Sequence, residues 1–299
     1  MTNRTPDETL TILPRRSRPP WQEASLRIIK EKPLGLLGAI LVIAMIVFAI
    51  GASLFATHDP NATDTINQLQ GPSWDHLFGT DKFGRDVFSR VIWGARTSLA
   101  VGFGTVAVST VIAVVIGALS GFWGGWFDLI LQRIVDAIMS MPGLVIIITV
   151  VAFIGSGLTN LILILSVLIA PGASRVFRGA VLSARQNQYV EAATALGASD
   201  VRIITRHILP NIVAPIIIIA TINLGTIILA ESALAFLGFG VPAPTASLGR
   251  MLSSEGRQFL QTAPWIAIFP GVAITLTVFG FNVLGDALRD VLDPKLRQA

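Results

Sequence analysis

The 299-residue chain contains no cysteine. That single absence excludes a disulfide framework, a thiolate metal site and a nucleophilic thiol. Charge is scarce: Asp, Glu, Lys and Arg make up 13% of the residues, against about 25% in soluble globular proteins. With 53% hydrophobic residues and a mean hydropathy of +0.70, most of the chain belongs in lipid. Histidine is rare. His58, His76 and His207 are scattered, with no HExxH pair, so no histidine-based metal site is expected. None of the four lysines follows a glycine, so the chain has no P-loop to cradle ATP phosphates. The first 33 residues carry Pro6, Pro14, Pro19 and Pro20 and lack the apolar core of a cleavable signal peptide.

What is present is a series of long uncharged runs. A bilayer core of about 30 Å needs roughly 20 apolar residues in a helix. Residues 33–58 contain no Asp, Glu, Lys or Arg and supply a first span. A second lies near 98–121. Residues 137–174 are 38 uncharged positions, about 57 Å as one helix at 1.5 Å per residue. That is too long for one crossing, and "GSGLTN" at 155–160 supplies turn chemistry. Spans are therefore expected near 133–154 and 159–177, then at about 212–236 and 264–285.

Six spans put both termini on one side. Lys and Arg number seven in the N-terminal tail, one in the 121–133 loop, five in 175–211 and three in the C-terminal tail; the other side has six. Sixteen against six places the termini and the 175–211 segment in the cytoplasm by the positive-inside rule. The net charge of +4 is thus a topology signal, and nucleic acid is not expected as a partner. The organisation is a cytoplasmic tail (1–33), a first span with an extracytoplasmic loop (34–96), a five-helix core (97–285) and a cytoplasmic tail (286–299). "WQEASLRIIKEK" at the end of the first tail has the pattern of a short interfacial helix.

One stretch does not fit lipid: "YVEAATALGASDVRIITRHILPNI", residues 189–212. Good helix formers lead to Gly197, which interrupts them. Ser199 is placed to N-cap a second helix, and Val201, Ile204 and Ile208 give that helix one apolar stripe. Pro210 is expected to end it. The product is a helix–Gly–helix elbow, suited either to a partner's groove or to packing beneath the bundle.

Here the residues resemble a family. Glu191-Ala192-Ala193, Gly197 and Leu209-Pro210 match the EAA loop of permease subunits in ATP-binding-cassette importers. His207 stands where that pattern has Ile, and "RHILPN" looks like the dipeptide and oligopeptide branch. "LFGTDKFGRDVFSRVIWGARTSL", "ILAESALAFLGFGVPAPT" and "FNVLGDALRDVLDPKLR" resemble the same branch, although Ala170 replaces an aromatic residue often found before Pro171-Gly172. The resemblance implies an all-α integral membrane protein of the type I (MetI-like) importer fold, in the cytoplasmic membrane of a bacterium or archaeon.

It also implies partners: a homologous second permease, two cytoplasmic P-loop ATPases carrying ATP and Mg, and an extracytoplasmic solute-binding protein, all in membrane lipid. The chain itself would bind no cofactor or metal, would have no catalytic residue and would be no enzyme. Glu191, Ala192, Ala193 and Gly197 would dock on the ATPase within a coupling loop at 178–211, together with His207, Leu209 and Pro210. Arg202 and Arg206 either pair with acidic groups there or are solvated positive-inside charges. Di- or oligopeptide is the leading cargo; nickel chelates, glutathione and oligosaccharides are alternatives.

Competing mechanisms need residues the chain largely lacks. An intramembrane protease needs paired Asp, or Ser and His, at membrane depth, and an ion-coupled transporter needs buried carboxylates. Only Glu231 sits inside a span. It is either a polar group beside a transport pathway or a packed, paired side chain supported by Asn223 or Thr226. Gly117, Gly121 and Gly125, repeating every fourth residue, predict a close-packed helix face. "VPAPTAS" at 241–247, with Asp75, Asp81, Arg85 and Asp86, either meets a binding protein or makes local hydrogen bonds.

Overall fold

In lipid every backbone polar group must be satisfied within the chain, which long helices achieve. The computed structural model describes residues 32–292; the expected tail helix, all but its last residue Lys32, and the C-terminal tail beyond 292 lie outside them. The helices are α1 (Pro33–Ile50), α2 (Ala52–Phe55), α3 (Val87–Trp123), α4 (Gly125–Ser140), α5 (Gly143–Ile154), α6 (Leu158–Arg185), α7 (Gln188–Ala195), α8 (Asp200–Ile203), α9 (Val213–Phe236), α10 (Leu248–Leu252), α11 (Ser254–Gln258) and α12 (Trp265–Leu292).

Among the described residues five stretches are long and apolar enough to cross a membrane: Pro33–Ile50, Val87–Trp123, Leu158–Arg185, Asp200–Phe236 and Trp265–Val291. The expected third span at 133–154 is not one helix. It is α4 and α5, bent by 87°. Proline disfavours helical geometry in the residue before it, and Met141 ahead of Pro142 is extended at φ −91°, ψ 143°. Helix α5 alone, 12 residues or about 18 Å, is too short to cross.

Helix direction shows that this bent pair nevertheless returns the chain across the bilayer. A Cβ on Gly104 would lie 2.8 Å from Ile162, one on Gly117 2.9 Å from Phe177, and one on Gly121 2.9 Å from Val181. Ser166 Oγ also donates to the Thr105 carbonyl at 3.2 Å. The paired positions rise together, so α3 and α6 are parallel, and residues 124–157 must recross between them. The described residues thus make six crossings, the bent pair counting as one. The two ends of the described chain accordingly meet: Lys32 Nζ, before α1, donates to Asp290 Oδ2 of α12 at 2.6 Å.

Of the glycine repeat, Gly117 and Gly121 form the α6 contact, whereas Gly125 has open space around it and begins α4 at φ +56°. The second span starts at Val87 rather than 98, because the Asp86 carboxylate caps α3 by accepting the Ser89 N–H at 2.8 Å. The core centres on α3, α6 and α9 through Leu99, Val106, Leu165, Leu224, Ile227 and Ile228. Helix α1 closes on α12 where a Cβ on Gly38 would come within 2.9 Å of the Gly280 carbonyl.

Candidate docking face and outer loop

On the side where both ends lie, residues 186–212 form a protruding elbow. Helix α7 closes in a Schellman turn: Ala198 N–H donates to Ala193 O at 3.1 Å and Gly197 N–H to Thr194 O at 2.9 Å. Gly197 has φ +77°, and a Cβ there would meet nothing within 4 Å. Backbone conformation alone therefore demands glycine. Ser199 occupies the N-cap position of α8 in extended geometry without a side-chain bond, its carbonyl accepting the Ile203 N–H at 3.0 Å.

Pro210 does not end this helix. Helix α8 passes into a π turn at Ile204–Ile208 and a 3-10 turn at Leu209–Ile212 before α9 begins. Leu209 N–H reaches back to the Ile204 carbonyl, so the bonding register widens by one residue just before the ring that lacks an N–H. The wide turn also changes the buried stripe. Ile203, Ile208 and Ile212 are buried, whereas Val201, expected to be apolar-faced, is 69% exposed.

The elbow has two faces. Val190, Ala193, Ile203 and Ile208 pack on Phe122, Val181 and Ala184 at the ends of α3 and α6. Glu191, Ala192, Gly197, Arg202, Arg206 and Pro210 are exposed; His207 and Leu209 are half-buried. Ala193, expected among the docking residues, turns into the chain's own core because it shares the buried side of α7 with Val190. The structure adds Leu196, 89% exposed, and Val201. Two apolar residues flanking the capping glycine were a signal available in the sequence. A groove of about 810 Å³ runs beside α7, lined by Trp123, Arg185, Glu191, Thr194 and Asp200.

Helix α4 is held on α6 by charge. Arg178 donates from Nε to Asp128 Oδ1 at 2.7 Å, and Arg175 pairs with Asp136. Ser120 of α3 also donates to Asp128.

Glu231 is wholly buried. Ser98 of α3 donates to its Oε2 at 2.8 Å, and Ser247 donates to its Oε1 at 2.9 Å. The expected supports, Asn223 and Thr226, are not its partners: at 100° per residue they point about 80° and 140° away around α9. Glu231 thus fixes the start of α10 against α3 and α9, where Gly94 lets the Leu248 backbone approach.

The loop at 56–86 on the opposite side is ordered by polar contacts. Asp81 accepts the Phe83 and Arg85 N–H groups at 2.8 and 3.0 Å and the Arg85 Nε at 2.6 Å. Trp265 Nε1 donates to the Thr80 carbonyl at 3.0 Å. The Ile66 backbone N–H, then the Asn67 amide, hold the Asp64 carboxyl below its ordinary pKa. Asp75 is exposed and lies outside this network. The histidines are not all scattered in space. His58 and His76 lie side by side beside Asp86, their ring centroids 4.7 Å apart and their planes tilted by 33°.

Residues 113–298 match the profile of the family described as binding-protein-dependent transport system inner membrane component. The chain belongs to that family. Residues 19–72 of this permease match the N-terminal TM domain of oligopeptide transport permease C. The permease is 44% identical to the dipeptide transport system permease protein DppC of Alkalihalophilus pseudofirmus, over 93% of this chain and 91% of that one. It is 42% identical to the glutathione transport system permease protein GsiD of Escherichia coli, over 96% and 94%. Its fold resembles the inward-facing MetNI methionine ABC transporter with a TM-score of 0.54 at 22% identity, covering 67% of this chain and 95% of that chain. The chain is therefore an ABC importer permease of the inner membrane, with the type I importer fold.

Proposed function

We propose that this permease carries di- or oligopeptides into the cytoplasm, driven by separate ATPase subunits that dock on the exposed face of residues 188–206. One observation carries the docking assignment: the elbow, whose eight-residue first helix is buried on one side and closed by Gly197, presents Glu191 and Ala192 of that helix, Leu196 at its end and Val201 of the next helix to solvent. Exposed apolar residues on a short charged helix suit a partner's groove. The excess of Lys and Arg on this side supports its cytoplasmic orientation.

Closure of two P-loop ATPases, which would carry ATP and Mg, pushes the elbow. The push reaches α6 through Ala193 and Val190 on Val181, and α9 directly, because residues 200–236 are continuous helix. Alternating access follows if those helices favour two arrangements. A homologous permease completes the pathway, and a binding protein on the outer side delivers cargo. The dipeptide relative supports peptide cargo. The glutathione relative, nearly as similar, favours a second reading in which the cargo is glutathione.

The test is purification of the tagged chain from its native membrane in mild detergent, with and without Glu191→Arg and Gly197→Trp. A P-loop ATPase should accompany the wild type and be lost from the double variant, while a second permease stays bound. Failure to recover any ATPase under conditions that preserve a known importer would overturn the reading. Uptake of labelled dipeptide and of glutathione by vesicles with and without the chain separates the two cargoes.

A further inference from the structure

We propose that His58, His76 and Asp86 bind one divalent transition-metal cation of the zinc class, clipping the 56–86 loop to the start of α3. Two imidazoles and a carboxylate form a donor set suited to such ions. Each residue offers one ligand atom, and these atoms all lie within 4.8 Å of one another. His76 Nδ1 is 3.0 Å from Asp86 Oδ1, and His58 Nδ1 is 4.0 Å from Asp86 Oδ2. Tetrahedral zinc with bonds of about 2.0–2.1 Å separates its ligands by roughly 3.3 Å. The observed spacings straddle that value, so small side-chain rotations complete the site.

The surroundings are those of a held site. Asp86 is buried and its carboxylate is oriented by the Ser89 N–H, while Ser89 Oγ accepts the His58 backbone N–H at 3.0 Å. A plain His76–Asp86 hydrogen bond accounts for His76 but not for the second imidazole beside the same carboxylate. The His58 side chain is 43% exposed, and its ring faces Asp86 from 4.0 Å, too far for a hydrogen bond. Its own bond is to the adjacent Thr57 Oγ1 at 3.0 Å. Water or that hydroxyl would fill the fourth position. The metal would join the start of the 56–86 loop at His58, its middle at His76 and the N-cap of α3 at Asp86.

The composition makes the test clean, since the chain has no cysteine and His207 is its only other histidine. The full chain, carrying a tag without histidine, is stripped with chelator in mild detergent, titrated with Zn²⁺, desalted and assayed for metal by mass spectrometry. Thermal melting is followed in parallel. One Zn²⁺ per chain is expected, with a raised melting temperature and protection of the 56–86 loop from protease. His58→Ala should weaken binding about tenfold or more and abolish the thermal shift, and His76→Ala should do the same, whereas His207→Ala should bind as wild type does. Because His58 makes only a local side-chain bond, His58→Ala keeps the test decisive even if His76→Ala folds poorly. Equal retention by wild type and His58→Ala, or no retention by wild type at micromolar Zn²⁺, would sink the assignment.

Discussion

Trp123 Nε1, at the last residue of α3, donates to Asp200 Oδ2, at the first residue of α8, at 3.1 Å. One bond joins the end of a membrane helix to the elbow that carries the proposed docking face. Trp123→Phe keeps the ring and removes the donor. An exposed bond of this kind contributes about 1 kcal/mol, roughly fivefold in a two-state balance. In proteoliposomes of the complete importer, peptide moved per ATP hydrolysed should fall several-fold while the ATPase still co-purifies. An unchanged ratio would show that motion reaches α3 by another route.

Gly197 is constrained by φ alone, since a Cβ there has free space. Left-handed geometry costs an ordinary residue about 1–2 kcal/mol, and asparagine less. Retention of the ATPase should therefore decline in the order Gly, Asn, Ala, Val at position 197, and quantitative pull-down measures it. Loss with Ala but not with Val would contradict this account.

Gly117 and Gly179 make the opposite comparison. A Cβ on Gly117 meets the Ser174 carbonyl at 2.8 Å, and one on Gly179 meets nothing within 4 Å. Gly117→Val should destabilise the bundle by about 1–3 kcal/mol, as overpacking does. Its melting temperature in detergent should drop clearly, while Gly179→Ala leaves it near wild type.

At Glu231 the amide variant separates structure from ion coupling. Glu231→Gln retains an acceptor and a donor for Ser98 and Ser247, so uptake should persist. Glu231→Leu leaves both hydroxyls without their partner, at about 1–3 kcal/mol each, and should lower the yield of folded protein. An intact complex with Glu231→Gln that hydrolyses ATP but moves no cargo would instead revive a proton-relay role.

How far the residues alone led depended on whether a feature is local. Span lengths, the charge bias and the glycine turn after α7 are properties of consecutive residues. A run such as 33–50 is apolar enough to enter lipid whatever surrounds it, and the Gly197 turn follows from backbone conformation. The bend at Pro142 is equally local, but it lies inside an uncharged run whose more conspicuous turn residues are at 155–160.

Other features had no local signal. The Glu231–Ser98 bond spans 133 positions, and the His58–His76 contact depends on how the 56–86 loop folds back on α3. That Ala193 is buried while Leu196 is exposed follows from where α7 meets Phe122 and Val181. The sequence by itself determined a series of membrane spans interrupted by one charged helix–Gly–helix elbow, because transfer into lipid and turn geometry act on a few neighbouring residues; the permease family rested on motif resemblance. Tertiary structure decided which side of that elbow is free, what holds Glu231 and which histidines meet. Such contacts are set by helix crossings, whose close approaches at Gly38, Gly94 and Gly117 bring together residues that are distant along the chain.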